Sequence, residues 1–128
     1  MSNEKPMGVA ILICDKVITE QGTMNKTLVS TFNTIRSKIF PCAHPALAIF
    51  VSLTNATGEK EVNLVFSSGE TQIMKSGGKA VFDNPNQMVE FIFNLVNLPF
   101  ARPGVYSFEV FVDGEYVFES RFNVIQIP

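Results

Sequence analysis

The sequence predicts an all-β protein, a single antiparallel β-sandwich of about eight strands, immunoglobulin-like in its layering. Three observations predict it. Short apolar segments recur at close spacing, each bounded by turn residues, and no segment keeps a helical period. The aromatic load, twelve Phe with two Tyr and no Trp, marks a packed interior. At 128 residues the chain buries roughly two thirds of its unfolded surface, which sustains one core without disulfide or metal staples. Residues 1–7 are expected to be a loosely attached N-terminus and 8–128 the sandwich domain.

The first segment, VAILICDKVI (9–18), is apolar on both faces at its start, as expected for a strand central in a sheet or covered from both sides. By alternation Asp15 shares a face with Val9, Ile11, Ile13 and Val17. That directs a carboxylate at the core side, where it needs loop N–H groups or an arginine. A turn through Gln21-Gly22 and Asn25-Lys26 leads to LVSTFNTI (28–35), read as one segment. RSKIFPCAHPA (36–46) holds two prolines and the only histidine, has no clear period, and reads as a loop.

LAIFVSLT (47–54) puts Leu47, Ile49, Val51 and Leu53 on one face, and EVNLVF (61–66) does so with Val62, Leu64 and Phe66. The linker NATGEK predicts a hairpin between them. TQIMK (71–75) and AVF (80–82) are short strands separated by Ser76-Gly77-Gly78-Lys79, placed at an edge where lysines oppose further pairing. MVEFIFNLVNL (88–98) is a strand by its β-branched and aromatic content, with Val89, Phe91, Phe93 and Leu95 on one face.

The last hairpin turns at Asp113-Gly114. A two-residue turn would set Val110 against Val117 and Phe108 against Glu119. A three-residue loop, Val112-Asp113-Gly114 with a bulge at Gly114, instead pairs Phe108 with Phe118 and Val110 with Tyr116, all four pointing inward. That register leaves Phe111 and Val117 outward as a small apolar patch. Tyr106 follows Pro103-Gly104, where a sandwich ties a tyrosine hydroxyl back to the preceding corner.

Ten basic and twelve acidic residues give a net charge of -2 with no run of either sign, which argues against nucleic acid and membrane as partners. No apolar run is long enough to span a bilayer and no export signal precedes the first, so a cytoplasmic location is expected. Cys14 and Cys42 are then free thiols, and the N-x-T matches at Asn25 and Asn55 mark turns.

Catalysis by a triad needs a base, and His44, two residues from Cys42, is the only imidazole. Scattered Cys and His argue against zinc, and the isolated Asp15, Asp83 and Asp113 against calcium, so no cofactor is expected. Asp15, Arg36, His44 and Arg102 are the candidate binding residues. The expected function is a non-catalytic binding or assembly module acting through a sheet edge or end loop, on a protein partner or a second copy. The alternative is a small-ligand binder or hydrolytic enzyme at the Cys42/His44 loop, with Asp15 or Arg102 converging from the sandwich end.

Cys14-Asp15, Leu98-Pro99-Phe100, Arg102-Pro103-Gly104, Tyr106 and Asp113-Gly114 carry a resemblance. With the runs around them, the chain resembles a family of small single-domain proteins of unassigned function found in bacteria and their phages. The resemblance implies an architecture and no activity, and it adds a phage or prophage accessory protein as a further alternative.

Overall fold

Alternating apolar residues need a facing layer, and the computed structural model, which describes residues 4–128, supplies it with nine strands in two sheets. They are β1 (Met7–Thr19), β2 (Lys26–Thr31), β3 (Thr34–Ser37), β4 (Cys42–Thr54) and β5 (Gly58–Ser68), then β6 (Thr71–Phe82), β7 (Val89–Phe100), β8 (Gly104–Val112) and β9 (Glu115–Gln126). One sheet has the order β2-β1-β4-β7 and the other β3-β9-β8-β5-β6. From β4 onward this is the immunoglobulin arrangement, with β4 and β7 in one layer and β9-β8-β5-β6 in the other. All pairs are antiparallel except β3 with β9, so the five-stranded sheet is mixed. Of the expected loose N-terminus, residues 1–3 lie outside the described residues. The Lys5 carbonyl accepts a hydrogen bond from the Asn55 amide (2.9 Å), and β1 starts at Met7. No helix of the described residues is long and apolar enough to cross a membrane.

The phenylalanines collect where the sheets face each other. Phe66, on β5, lies 5.2 Å from Phe108, 5.7 Å from Tyr106 and 6.2 Å from Phe122, and meets Phe100 edge-on at 5.8 Å. Such offset and edge-on ring pairs add to the area they bury. The Tyr106 hydroxyl donates to the Arg102 carbonyl at 2.6 Å, which is the expected corner tie.

Four local readings are corrected. The segment 28–35 is two strands in different sheets, because the chain leaves β2 at Phe32-Asn33 and crosses to pair β3 with β9. The strands 47–54 and 61–66 are not a hairpin: β4 and β5 belong to opposite sheets, and the linker buries Ala56 as it crosses the end of the core. Alternation reports that each strand has a buried face but not which sheet carries it. The segments 71–75 and 80–82 are one continuous edge strand, because Gly77 runs so close over Asn63 that a Cβ would sit 2.7 Å from its side-chain oxygen. The glycines mark a close approach, not a break.

The fourth is the last hairpin. Its turn has two residues, with φ of 49° at Asp113 and 82° at Gly114, the backbone of a type I′ turn. The mismatch this creates is absorbed inside β9, where Val117 is an extra residue between the pairs Phe111–Tyr116 and Val110–Phe118. Phe108 therefore faces Ser120, Tyr116 points outward, and Val117 packs against the core. The outward patch of Phe111 with Val117 does not form.

Candidate functional site

The residues singled out in the sequence are dispersed. β1 pairs with β4 only as far as Cys14 and continues beyond it as a two-stranded ribbon with β2. Asp15 stands at that departure, so its carboxylate is exposed instead of directed at the core, and it makes no hydrogen bond or ion pair among the described residues. Alternation gave it a face without saying where the facing sheet ends. Arg36 is exposed on the edge strand β3, opposite Ile125. Arg102 is exposed at the β7–β8 corner, where its carbonyl accepts from Tyr106 and its guanidinium has no partner among the described residues.

The 36–46 loop is shorter than expected, since β4 begins at Cys42. Cys42 and His44 share a face of β4 opposite Phe100 and Leu98. Between the pairs His44–Leu98 and Ala46–Val96, where Asn97 has φ 51°, the buried positions of β4 and β7 change parity, so Cys42 packs on the core. The His44 ring contacts Phe32 at 5.9 Å and has no hydrogen bond to a thiol or carboxylate among the described residues. Arg36, His44 and Arg102 thus lie toward one end of the sandwich, but nothing joins them into a site. Both cysteines are free. Burial, then the neighbouring Asp15 charge, pushes the Cys14 thiol up. No group of three or more His, Cys, Asp or Glu among the described residues is placed to hold a metal ion.

A different surface has the form of a site. On the outer face of the five-stranded sheet the register stacks three rows across β6, β5, β8 and β9. The row nearest the β8–β9 turn is Gly77, Asn63, Phe111 and Tyr116, the middle row is Lys75, Val65, Glu109 and Glu119, and the third is Gln72, Ser67, Ser107 and Arg121. β5 is flanked on both sides, so its outward side chains are sheltered by the longer ones on β6 and β8. The result is a groove of about 560 Å³ running from Gly69 at the β5–β6 turn to Gly114 at the β8–β9 turn. It adjoins a second hollow of about 360 Å³ over Ser107 and Arg121, with which it shares Gly69 and Glu109.

The floor is polar yet buried: Asn63 is 7 % exposed, Ser67 3 % and Ser107 9 %. Ser67 donates to Glu109 at 2.9 Å, and the Asn63 amide donates to Glu61 at 3.2 Å while its carbonyl end has no partner among the described residues. The Ser107 hydroxyl has no protein partner among the described residues and stays open to solvent in the second hollow. At one side Glu119 accepts from Arg121 at 3.0 Å and from the Tyr116 hydroxyl at 2.9 Å. These two bonds hold its carboxyl below the usual range. Packing around the Tyr116 hydroxyl, then its bond to Glu119, pushes that phenol up. The ring of Phe111 meets Tyr116 edge-on at 5.8 Å and forms the apolar end of the groove.

Sequence reasoning missed Asn63, Ser67 and Lys75. The available signal was parity, since positions 63, 65 and 67 oppose the core face of Val62, Leu64 and Phe66. What parity does not show is that β5 is central, so that its outer face becomes a floor.

The opposite sheet has a contrasting outer face. Leu12, Phe50 and Ile92 form one cross-strand row, in which Leu12 is 45 % exposed, Ile92 is half-buried and Phe50 is buried. No curated protein matches the chain. The model of a family of unknown function, DUF6941, matches residues 9–125, nearly the whole sandwich, and the chain belongs to that family.

Proposed function

We propose that the protein is a non-catalytic binding module whose recognition surface is the outer face of the five-stranded sheet. The observation that carries this reading is the groove of about 560 Å³ floored by buried polar side chains. The free Ser107 hydroxyl and Asn63 carbonyl oxygen on this floor stay open to the hollows, where a ligand can take over the hydrogen bonds they make to solvent, and ligand sites place a few such groups in concavities of this size. A hydrolytic reading at Cys42 and His44 has less support, because a nucleophile needs a base within hydrogen-bond reach and, among the described residues, the imidazole meets the Phe32 ring and hydrogen-bonds no thiol.

Titration of ¹⁵N-labelled protein with a library of small fragments tests the reading. Amide shifts are expected to cluster over Asn63–Ser67, Lys75 and Ser107–Phe111. Clustering around His44 and Arg102, or no clustering, overturns it.

Self-association is the second reading, favoured by the row of Leu12, Phe50 and Ile92 on the four-stranded sheet. Leu12→Lys is expected to convert a dimer to a monomer in light scattering. A parent protein that is monomeric at high concentration removes this reading.

A further inference from the structure

We infer that the groove of the five-stranded sheet takes a neutral, hydroxyl-rich chain, an oligosaccharide, an assignment that rests on the groove being the recognition surface.

Charge comes first. Around the two joined hollows stand Glu70, Glu109 and Glu119 against Lys75 and Arg121, and Glu119 is already held by Arg121 and Tyr116. A polyanion would meet carboxylates along the middle of the floor, and a polycation would meet Lys75 and Arg121 at the two sides. Neither finds the single-signed field that recognition of a charged polymer uses.

Hydrogen bonding comes second. The groups without a partner among the described residues are mixed: the carbonyl end of Asn63 accepts, Lys75 donates, and the Ser107 hydroxyl does both. Glu109 has one oxygen on Ser67 and a second left to accept. A ligand that satisfies all of them must donate and accept from neighbouring atoms, which a sugar hydroxyl does and an apolar ligand does not. Asn63 and Ser107 are sheltered residues whose free polar atoms still reach solvent, so a ligand that covers them without pairing them forfeits the hydrogen bonds water makes there.

Shape comes third. The groove follows β5 from one turn to the other, so it suits a chain more than a compact molecule. At its Gly114 end the Phe111 ring offers an apolar face for the C–H side of a sugar ring, and Gly77, opposite Asn63, keeps that wall low.

The test is titration of ¹⁵N-labelled protein with cellohexaose, maltohexaose and chitohexaose, with trilysine and tripolyphosphate as charged comparators. The expected result is that one oligosaccharide shifts amides over Asn63–Ser67 and Ser107–Phe111 and that the charged probes do not. Ser107→Ala and Phe111→Ala should each weaken binding by about tenfold or more, about what one lost buried contact is worth. Both variants should keep the parent's amide spectrum away from the groove, and Glu109→Gln serves as a second reporter should either misfold. Shifts from trilysine or tripolyphosphate alone overturn the oligosaccharide assignment and leave the binding module standing. Silence from every oligosaccharide, with fragments still clustering in the groove, does the same. Failure of the fragments to cluster there overturns both.

Discussion

Asp113 and Gly114 both sit in the left-handed region, and each does so for its own reason. Asp113 ties the turn to β5 with two bonds, its backbone N–H donating to the Glu61 carbonyl (2.8 Å) and its carboxylate accepting from the Glu61 N–H (2.9 Å). Gly114, at φ 82°, has open space around it, so a side chain there would meet conformational strain and no clash. Gly114→Ala should cost roughly 1 kcal/mol and lower the melting temperature by a few degrees; an unchanged melting temperature would contradict the turn. Glu119 adds a small acid-sensitive contribution to stability. Its folded pKa lies below the usual 4.5, so its contribution is present above that value and is lost as pH falls through the folded pKa. Glu119→Gln should therefore lose less stability than the parent between about pH 7 and about pH 3, by a small margin since the pair is solvated. Denaturant melts at the two pH values check it. At this scale the sequence was legible where one residue has one local task, as for Tyr106. It was not where the task lies across the sheet, as for Asp113 on β5.

β1 and β9 meet across the core where Gly8 admits Phe118: a Cβ on Gly8 would lie 2.2 Å from the ring. Gly8→Ala must displace that ring and should cost about 1–3 kcal/mol, with part of the loss recovered in the double variant Gly8→Ala/Phe118→Leu. Thermal melts of the three variants measure the coupling, and additive losses would contradict the contact. Strand content was read well, since every apolar run falls in strand, although 28–35 divides into two strands and 71–75 and 80–82 join into one. Partnership was read poorly. The alternation of 47–54 and 61–66 is identical whether they pair with each other or face each other, and NATGEK serves a crossing as readily as a turn. Within the last hairpin the need for a bulge was legible in the clash between turn type and core pattern. Its position was not, because Val117 and Gly114 relieve the mismatch equally well on paper.

Across the whole molecule, the layered architecture followed from the spacing of apolar segments, and the groove did not. A groove arises only when β5 is central and β6 edges it, which is a property of strand order. The same order sets where the fold is firmest. Val62–Phe66 and Phe108–Val110 lie on adjacent strands over the ring cluster, whereas β2 is an edge strand and its ribbon with β1 is largely exposed. Native-state hydrogen exchange should be slowest in the first two stretches and fastest in Lys16–Thr31; a ribbon as protected as β5 would contradict this ordering.

β1 enters beside Thr54, at the end where β4 hands over to β5, and β9 leaves beside Gly104, at the other end. Tension between these two strands therefore runs along the strand axes. The bonds of β1 with β4, and those of β9 with both β3 and β8, bear the load together in shear and do not unzip in turn. β9 is gripped from both sides, on one of them by a parallel neighbour.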